Sequence, residues 1–532
     1  MAKFMAGLLA ASLTFTAPAY AQVRLPALGE SASDDLSVGA ERRLGEQIMR
    51  EGRRDPQYLD DPVLLEYLQQ LWNPLVAAAR ARGDINSETD QAFAWEAFLV
   101  RDRSVNAFAL PGGYVGVHLG LMALTSAGDQ LASVLAHELT HVTQRHIARS
   151  IAPQQRASMV AIAAFLLGII AASRSSNIDA ANAAIMGGQA VAIQGQLNFS
   201  RDMEREADRI GYGVLTAAGY SPAGMAGMFE KLDVATRLND NSGFPYLRSH
   251  PLTVDRIAEA RNRALLGGVG GGVGGGTLSV PTLQHAVMQM RARVLMDDSA
   301  QSLQRFSGGT SSPLLADRVA ALYGGALAAM LLRDPARAES QAADALRMAV
   351  TATPRDRSAE RAVVLLQAQL RMVRGDAAGA LQALDSLRTS PTERPPMLLR
   401  AQAVLDLHRS APGSQASALR ESTEALQTWV AEHPQDPAAW EQLAATSDAL
   451  GLKLRSMRAA AEARSVVGDL SGAIDRLRAA QQVSRGATGQ DFIEGSVIDA
   501  RLRQITAQRR QLQLDARESR GGRGGPEEPA PQ

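Results

Sequence analysis

The sequence of 532 residues contains no cysteine, few aromatic residues and no excess of charge of either sign. Without cysteine the chain can form no disulfide bond and carry no lipid on a thiol, so any metal ion must be bound by histidine and carboxylate groups. Lys plus Arg and Asp plus Glu each number 55, and this balance argues against nucleic acid as a partner, because phosphate binding relies on excess positive charge. The low aromatic content of 4%, together with abundant Ala and Leu, favours a largely helical protein.

The N-terminus lacks a hydrophobic run long enough to span a bilayer, although it contains a short one. Lys3 precedes an apolar run over residues 4–15, and Ala19-Tyr20-Ala21 fits the small residues of a cleavage site before Gln22. A transmembrane helix needs about 20 apolar residues, so we predict a cleavable signal peptide over residues 1–21. The mature chain is then expected to work outside the cytoplasm.

Residues 22–266 show both helical and strand patterns. Helical periodicity over residues 41–72 is interrupted at Asp60-Asp61-Pro62, where Asp can cap one helix and Pro can open the next. Three short strands are predicted around a tight turn at Pro111-Gly112-Gly113, and they cover residues 98–101, 105–110 and 114–117. Two further predicted helices carry candidate catalytic groups and cover residues 129–149 and 200–218.

One apolar stretch, residues 157–172, is almost uninterrupted. It is shorter than the roughly 20 residues that a membrane-spanning helix needs. We therefore expect a buried hairpin or a hydrophobic flap over a functional site, and peripheral contact with a membrane stays open.

A glycine-rich segment at residues 267–276 is the clearest domain boundary in the chain. It separates a predicted domain at residues 22–266 from a second one at residues 277–519, and a Gly- and Pro-rich tail at residues 520–532 is predicted to be disordered. The second domain is rich in Ala and Leu, with recurrent helix breaks at Gly375-Asp376, Asp436-Pro437 and Gly468-Asp469. This recurrence favours degenerate tetratricopeptide repeats over an ordinary helical bundle.

The chemically most specific pattern is His137-Glu138-Leu139-Thr140-His141. On a helix, histidines four residues apart lie about 40° apart around the axis, so both imidazoles can bind one Zn²⁺ ion. Glu138 lies about 100° from His137 and can take a proton from a water on that ion without binding the metal itself. With eight histidines in the chain, a chance match has a probability below about one per cent. The segment predicts a zinc hydrolase with one Zn²⁺ per chain and Glu138 as the general base.

The third zinc ligand must come from another segment. His146 follows His137 by nine residues, which on a continuous helix is about 900° and predicts a surface or packing role on the opposite side. Glu204 and Asp208 share one face of their predicted helix, whereas Glu206 points about 200° away from Glu204. Two His and one Glu with an open position is the gluzincin-type arrangement, so we expect Glu204 to be the third ligand. Asp208 is expected to accept a proton from a ligand His and to fix its tautomer.

Together these motifs resemble those of the M48 peptidases, a family that includes membrane-bound CAAX-prenyl proteases and soluble periplasmic enzymes. The resemblance covers residues 41–263 by motif, and the signal peptide and C-terminal repeats match soluble periplasmic members by architecture. The motifs that carry it are His137 to His141, Glu204 with Ala207-Asp208, and Ser249-His250-Pro251 with Arg256-Ile257. The resemblance implies Zn²⁺ held by His137, His141 and Glu204, with Glu138 as the general base.

The same resemblance draws attention to His250 and Arg256. Two roles stay open for His250: it could stabilise the oxyanion of the tetrahedral intermediate, or occupy the open zinc position and keep the enzyme inactive. Arg256 could bind carbonyl or carboxylate groups of the substrate.

The predicted strand at residues 105–110 suggests how substrate is held. Zinc proteases often bind an extended substrate as an added strand, using main-chain hydrogen bonds. Asn106 and Ala107 are best placed for this contact, and an ordinary edge strand is the alternative.

These features predict a mainly α protein, with a gluzincin-type metalloprotease domain of helices and a small β-sheet followed by an α-helical tetratricopeptide-repeat domain. We expect a zinc endopeptidase of the periplasm that cleaves misfolded or stalled envelope and outer-membrane proteins. The repeat domain is expected to contact outer-membrane assembly machinery. The alternative is a chaperone-like assembly factor whose protease activity is minor or latched by His250.

Overall fold

The computed structural model describes residues 36–150, 200–238, 245–267, 280–306, 308, 312–387, 393–411, 413, 415–485 and 489–521. The predicted signal peptide, the apolar stretch at residues 157–172 and residues 268–276 of the glycine-rich segment lie outside these residues. The mainly α fold with a small sheet is confirmed.

The first part of the chain contains a small sheet among helices. Its strands are β1 (Tyr58–Leu59), β2 (Glu96–Val100), β3 (Ala107–Leu110) and β4 (Tyr114–His118). Its helices are α1 (Val38–Gly52), α2 (Pro62–Arg82), α3 (Ser87–Ala92), α4 (Leu119–Leu124), α5 (Gly128–Thr143), α6 (His146–Ser150), α7 (Arg201–Ala217), α8 (Ala223–Leu238), α9 (Pro245–Ser249) and α10 (Val254–Gly267).

The second part is helical throughout the residues described. Its helices are α11 (Leu283–Leu295), α12 (Ala300–Arg305), α13 (Leu315–Leu331), α14 (Pro335–Ala349), α15 (Arg357–Val373), α16 (Ala377–Asp385), α17 (Arg394–Ser410), α18 (Ala416–Glu432), α19 (Pro437–Ala449), α20 (Lys453–Val466), α21 (Leu470–Val483) and α22 (Gln490–Gly521). None of the helices within the described ranges is long and apolar enough to cross a membrane.

The sheet has the strand order β1-β2-β4-β3. β2 pairs parallel with β4, whereas β3 pairs antiparallel with β4 through the Pro111-Gly112-Gly113 turn, as predicted. Gly112 and Gly113 have φ values of 76° and 91°, a left-handed conformation that favours glycine. Among the described residues β3 is therefore an edge strand, and one row of its backbone groups is not paired within the sheet.

The predicted helix breaks follow from aspartate capping. Asp61 caps α2 by accepting a hydrogen bond from the Leu64 backbone N–H at 2.8 Å, and Pro62 occupies the first turn, where no N–H partner is needed. In the second part, Asp376, Asp436 and Asp469 cap α16, α19 and α21 in the same way. The predicted breaks are confirmed, and the assignment of these helices to tetratricopeptide repeats stays a prediction.

The helical second part packs directly against the first. A continuous core runs from Trp72 of α2 and Leu135 of α5 to Val287 of α11 and Leu327 of α13, all of them buried. Buried ion pairs accompany this apolar contact. Arg291 of α11 donates hydrogen bonds to both carboxylate oxygens of Asp61, and partly buried ion pairs join Arg394 to Asp60 and Arg361 to Glu66. The two parts therefore form one packed unit around α2.

His285 of α11 lies in this junction as a buried, neutral side chain. Its Nδ1 accepts a hydrogen bond from the Tyr67 hydroxyl at 2.6 Å, and its Nε2 donates to the Thr125 carbonyl at 3.1 Å. Burial lowers the pKa of His285 to about 4 from its ordinary value of 6.5. The unfolded chain therefore binds a proton between pH 6.5 and pH 4 that the folded protein does not bind.

This difference predicts acid sensitivity at the junction. The contribution of His285 to the free energy of unfolding is fully present above pH 6.5. It is lost as the pH falls towards 4, and the total loss is about 3 kcal/mol. Urea unfolding of the zinc-free protein at pH 7.5 and pH 5 should show the loss, and His285→Gln should lose less over the same interval. Equal pH dependence in the two proteins would show that His285 is not its source.

Candidate metal centre

The helix α5 places the two histidines of the motif in the protein interior. Leu135, Ala136 and Leu139 are fully buried, so an apolar face anchors this helix in the core. His137 and His141 have 2% and 1% of their surface exposed, and their Nε2 atoms lie 3.0 Å apart. Both imidazoles thus face one point, as the four-residue spacing predicts.

The helix α7 brings carboxylates to the same point. Ser200 caps this helix by accepting a hydrogen bond from the Met203 backbone N–H. Gly211 allows a close approach to α5, because a Cβ atom there would lie only 3.0 Å from the Ala136 carbonyl oxygen. The Glu204 carboxylate consequently lies 3.5 Å from Nε2 of both His137 and His141.

A fourth side chain, His250, completes the cluster from the segment after α9. Its Nδ1 lies 2.9 Å from Glu204 Oε1 and 3.3 Å from His137 Nε2. One potential ligand atom from each of His137, His141, Glu204 and His250 lies within 4.8 Å of the others, and all four residues are buried. This is the only group of this kind in the part of the chain that the structure describes.

The charges of the cluster suit a divalent cation. Burial raises the pKa of Glu204, but His250 and His137 outweigh burial, so its pKa lies well below the ordinary value and the carboxylate is ionised. Burial lowers the pKa of His137, yet the hydrogen bonds that His137 donates to the Asp208 and Glu204 carboxylates outweigh burial and raise it to about 10. A bound cation takes the place of the proton that these carboxylates attract. The donor set of imidazoles and one carboxylate fits Zn²⁺.

Glu138 is the least satisfied group of the site. It is fully buried, and neither carboxylate oxygen has a hydrogen-bond partner among the described residues. His250 Nε2 lies 3.6 Å from its Oε1 atom. Burial of a carboxylate without a hydrogen-bond partner costs free energy, so its position beside four groups that could hold a metal ion indicates a chemical function.

Asp208 and Arg256 contact the side chains of the four-residue cluster. His137 Nδ1 donates to Asp208 Oδ1 at 3.0 Å, which leaves Nε2 free of its proton for metal binding. Arg256 donates to both oxygens of Asp208 at 2.6 and 2.8 Å, and its Nη1 lies 2.9 Å from Glu204 Oε2. Asp208 makes the contact with His137 that its expected role requires, and the role itself stays a prediction. Arg256 was expected to bind substrate, but in the structure its guanidinium is engaged by the carboxylates of the site, as a positioning group would be.

His146 does not lie on the opposite side of the helix from His137, as the sequence predicted, but next to His141. The helix predicted over residues 129–149 ends at Thr143, because Arg145 adopts a φ of 50°, and α6 begins in a new direction at His146. His146 is fully buried with Nδ1 2.8 Å from His141 Nδ1, so it is neither a surface residue nor remote from the metal-binding face. The predicted position of His146 was wrong because it assumed a continuous helix, and the sequence has no glycine to mark the end of α5 at Thr143.

The segment that carries His250 also lies next to the edge strand. The Tyr246 backbone N–H donates to the Val105 carbonyl at 3.3 Å, and the Tyr246 ring lies 4.7 Å from the ring of His250. Asn106 and Ala107 are buried, and Ala107 pairs with Val117 on the inner side of β3. The structure thus brings the predicted substrate strand and the metal cluster to one region through α9.

Comparison with known proteins places these groups in a family context. The model of peptidase family M48 matches residues 66–264, which include all four residues of the cluster and Glu138. The chain is 30% identical over 533 residues to the beta-barrel assembly-enhancing protease of Escherichia coli, covering 96% of this chain and 97% of that protein.

Two further relatives match less than half of the chain. A Vibrio cholerae protein with a provisional assignment as a beta-barrel assembly-enhancing protease is 41% identical over 253 residues. The match covers 46% of this chain and 49% of that protein, so the chain spans about half the length of this relative. The metalloprotease LoiP of Escherichia coli is 29% identical over 234 residues, or 44% of this chain and 84% of LoiP.

Proposed function

The chain belongs to peptidase family M48 and is a zinc metalloendopeptidase, and we propose from this premise that it works in the periplasm on misfolded or stalled envelope proteins. The observation that carries the catalytic part is the buried convergence of His137, His141, Glu204 and His250 beside Glu138, whose carboxylate has no hydrogen-bond partner among the described residues. The predicted signal peptide and the name of the Escherichia coli relative support the location and the substrate class.

We assign the steps of the reaction to the residues as follows. His137, His141 and Glu204 hold the metal ion, and Asp208 orients His137. Zn²⁺ bound there supplies a Lewis acid for the activation of water and of the scissile carbonyl. Glu138 accepts the proton of the attacking water and delivers it to the leaving amine.

Substrate selection is proposed to depend on strand pairing at β3. An extended segment can add to the unpaired edge beside Asn106 and Ala107, whereas a strand already paired in a folded barrel has no free backbone groups. The protein should therefore cleave an unfolded outer-membrane protein and spare the same protein once it has folded in detergent. Equal cleavage of the two forms would contradict this selection.

A second candidate function is favoured by His250. Its Nδ1 is one of the four converging atoms, which suits a ligand that occupies the open position and latches the protease. The protein would then act mainly as an assembly factor, with the helical second part as its binding surface. In cells that lack the protein, Glu138→Gln distinguishes the two: rescue of outer-membrane assembly by this variant supports the assembly factor, and failure supports proteolysis.

The latch makes a direct kinetic prediction. We expect His250→Ala to raise the rate of cleavage of an unfolded protein on the order of tenfold, because alanine has no imidazole that could occupy the open position of the metal. The assay is proteolysis at equal zinc content, with Tyr246→Phe as a control that alters the same segment. A fall of about 10²-fold or more would instead assign His250 to oxyanion stabilisation.

A further inference from the structure

The turn after the metal-binding helix directs His146 back towards the site. Arg145 adopts a left-handed backbone conformation that costs an arginine about 1–2 kcal/mol. The Arg145 side chain donates to Glu41 at 2.8 Å, and Glu41 is itself buried on α1. This contact ties the turn to a separate helix and stabilises the change of direction between α5 and α6.

The orientation of His141 determines where the proton of its ring lies. Its Nε2 is the atom that faces His137 and Glu204, so a metal ion held by the cluster would bind to this nitrogen. A neutral imidazole that binds a metal through Nε2 carries its proton on Nδ1. His146 Nδ1, at 2.8 Å, is placed to accept that proton in a hydrogen bond.

The proton position in His146 follows in turn. Since its Nδ1 accepts, its proton lies on Nε2, which donates to Glu206 Oε2 at 3.1 Å. Arg149 donates to the same oxygen at 3.0 Å and holds the Glu206 carboxylate in place. The chain of contacts thus runs from His141 through His146 to Glu206 and Arg149.

His137, the other proposed histidine ligand, is supported in a similar way. His137 donates through Nδ1 to Asp208, which is held by Arg256. Each ligand is therefore backed by a carboxylate that an arginine fixes, directly for His137 and through one additional imidazole for His141. Glu206 and Asp208 lie on opposite sides of α7, which explains how one helix can support both ligands.

We propose that His146 is a positioning residue that fixes the tautomer and the ring orientation of His141 as a zinc ligand. The inference rests on the proposed ligand set and adds to it a group that touches neither the metal nor the substrate. Contacts of this kind typically change metal affinity by about 10–100-fold.

The test measures zinc affinity rather than activity. In competition with a chromophoric chelator, His146→Leu is expected to weaken Zn²⁺ binding by about 10–100-fold. His146→Asn places a carbonyl oxygen near the former Nδ1 atom, so it should bind Zn²⁺ within a few-fold of the wild type. The absorption spectrum of the Co²⁺-substituted protein should change in His146→Leu and stay close to the wild-type spectrum in His146→Asn.

Two reference variants separate the possible failures. His433→Leu removes an exposed histidine of the second part and should leave zinc affinity unchanged, whereas His141→Ala removes a proposed ligand and should abolish tight binding. Wild-type affinity in His146→Leu, or equal loss in His146→Leu and His146→Asn, would overturn the positioning role alone. Tight binding that survives in His141→Ala would overturn the ligand set and this inference with it.

Discussion

Replacement of Glu138 by Gln is expected to lower the rate of peptide-bond cleavage by about 10²–10⁴-fold while the protein still binds one Zn²⁺ per chain. The amide has nearly the same size as the carboxylate but cannot accept the proton of the attacking water. The four residues of the cluster are unchanged, so the metal affinity should be retained. The fully buried Glu138 side chain has no hydrogen-bond partner among the described residues, so no such protein contact should be lost.

The measurement combines proteolysis of an unfolded protein with metal analysis of the same sample. Glu88→Gln, which neutralises an exposed glutamate on α3, is the matched control and should cleave at the wild-type rate. Loss of both zinc and activity in Glu138→Gln would make Glu138 a structural part of the metal site. Wild-type cleavage with zinc bound would assign the general base to another residue.

The largest effect on stability is expected at the junction of the two parts, in Arg291→Met. Arg291 is buried, donates to both oxygens of Asp61 at 2.7 and 2.6 Å, and donates to the Tyr323 hydroxyl at 2.7 Å. Methionine fills much of the volume but leaves the Asp61 carboxylate buried without its counter-charge. Removal of one partner of a buried pair costs about 3–5 kcal/mol in the free energy of unfolding, which corresponds to a fall of about 1 M in the urea midpoint.

A second substitution checks the cause. Asn remains a good helix cap but carries no charge, so Asp61→Asn together with Arg291→Met should recover most of the lost stability. Arg355→Met removes the arginine of an exposed pair with Glu360 and should leave the midpoint unchanged. If Arg291→Met shifts the midpoint no further than Arg355→Met, the buried pair does not hold the two parts together.

Local sequence patterns were sufficient to predict those features whose structure is decided by residues close together along the chain. The spacing of His137 and His141 on one helix, the Asp-Pro start of α2 and the glycine turn between β3 and β4 depend on residues a few positions apart. These features follow from helix geometry, capping and backbone conformational preference, which a sequence displays directly.

Glu204 and Asp208 could be predicted only because a metal with two histidine ligands requires a third ligand. Their own helix face looked like any charged surface, and the approach that buries it depends on Gly211 meeting the backbone of Ala136. Arg256 was recognised as part of the site, but its engagement with Asp208 and Glu204 became apparent from the folded structure.

The sequence by itself therefore determined the metal motif, the types of ligand and the helical character of the chain. The tertiary structure decided the surroundings: the convergence of His250 on Glu204, the turn at Arg145 that returns His146 to His141, and the ion pairs that join the two parts. The reason is physical. A motif is a local geometry, whereas each of these contacts joins segments whose approach is decided by packing elsewhere, and in the case of Arg145 by an ion pair with Glu41, 104 positions earlier in the chain.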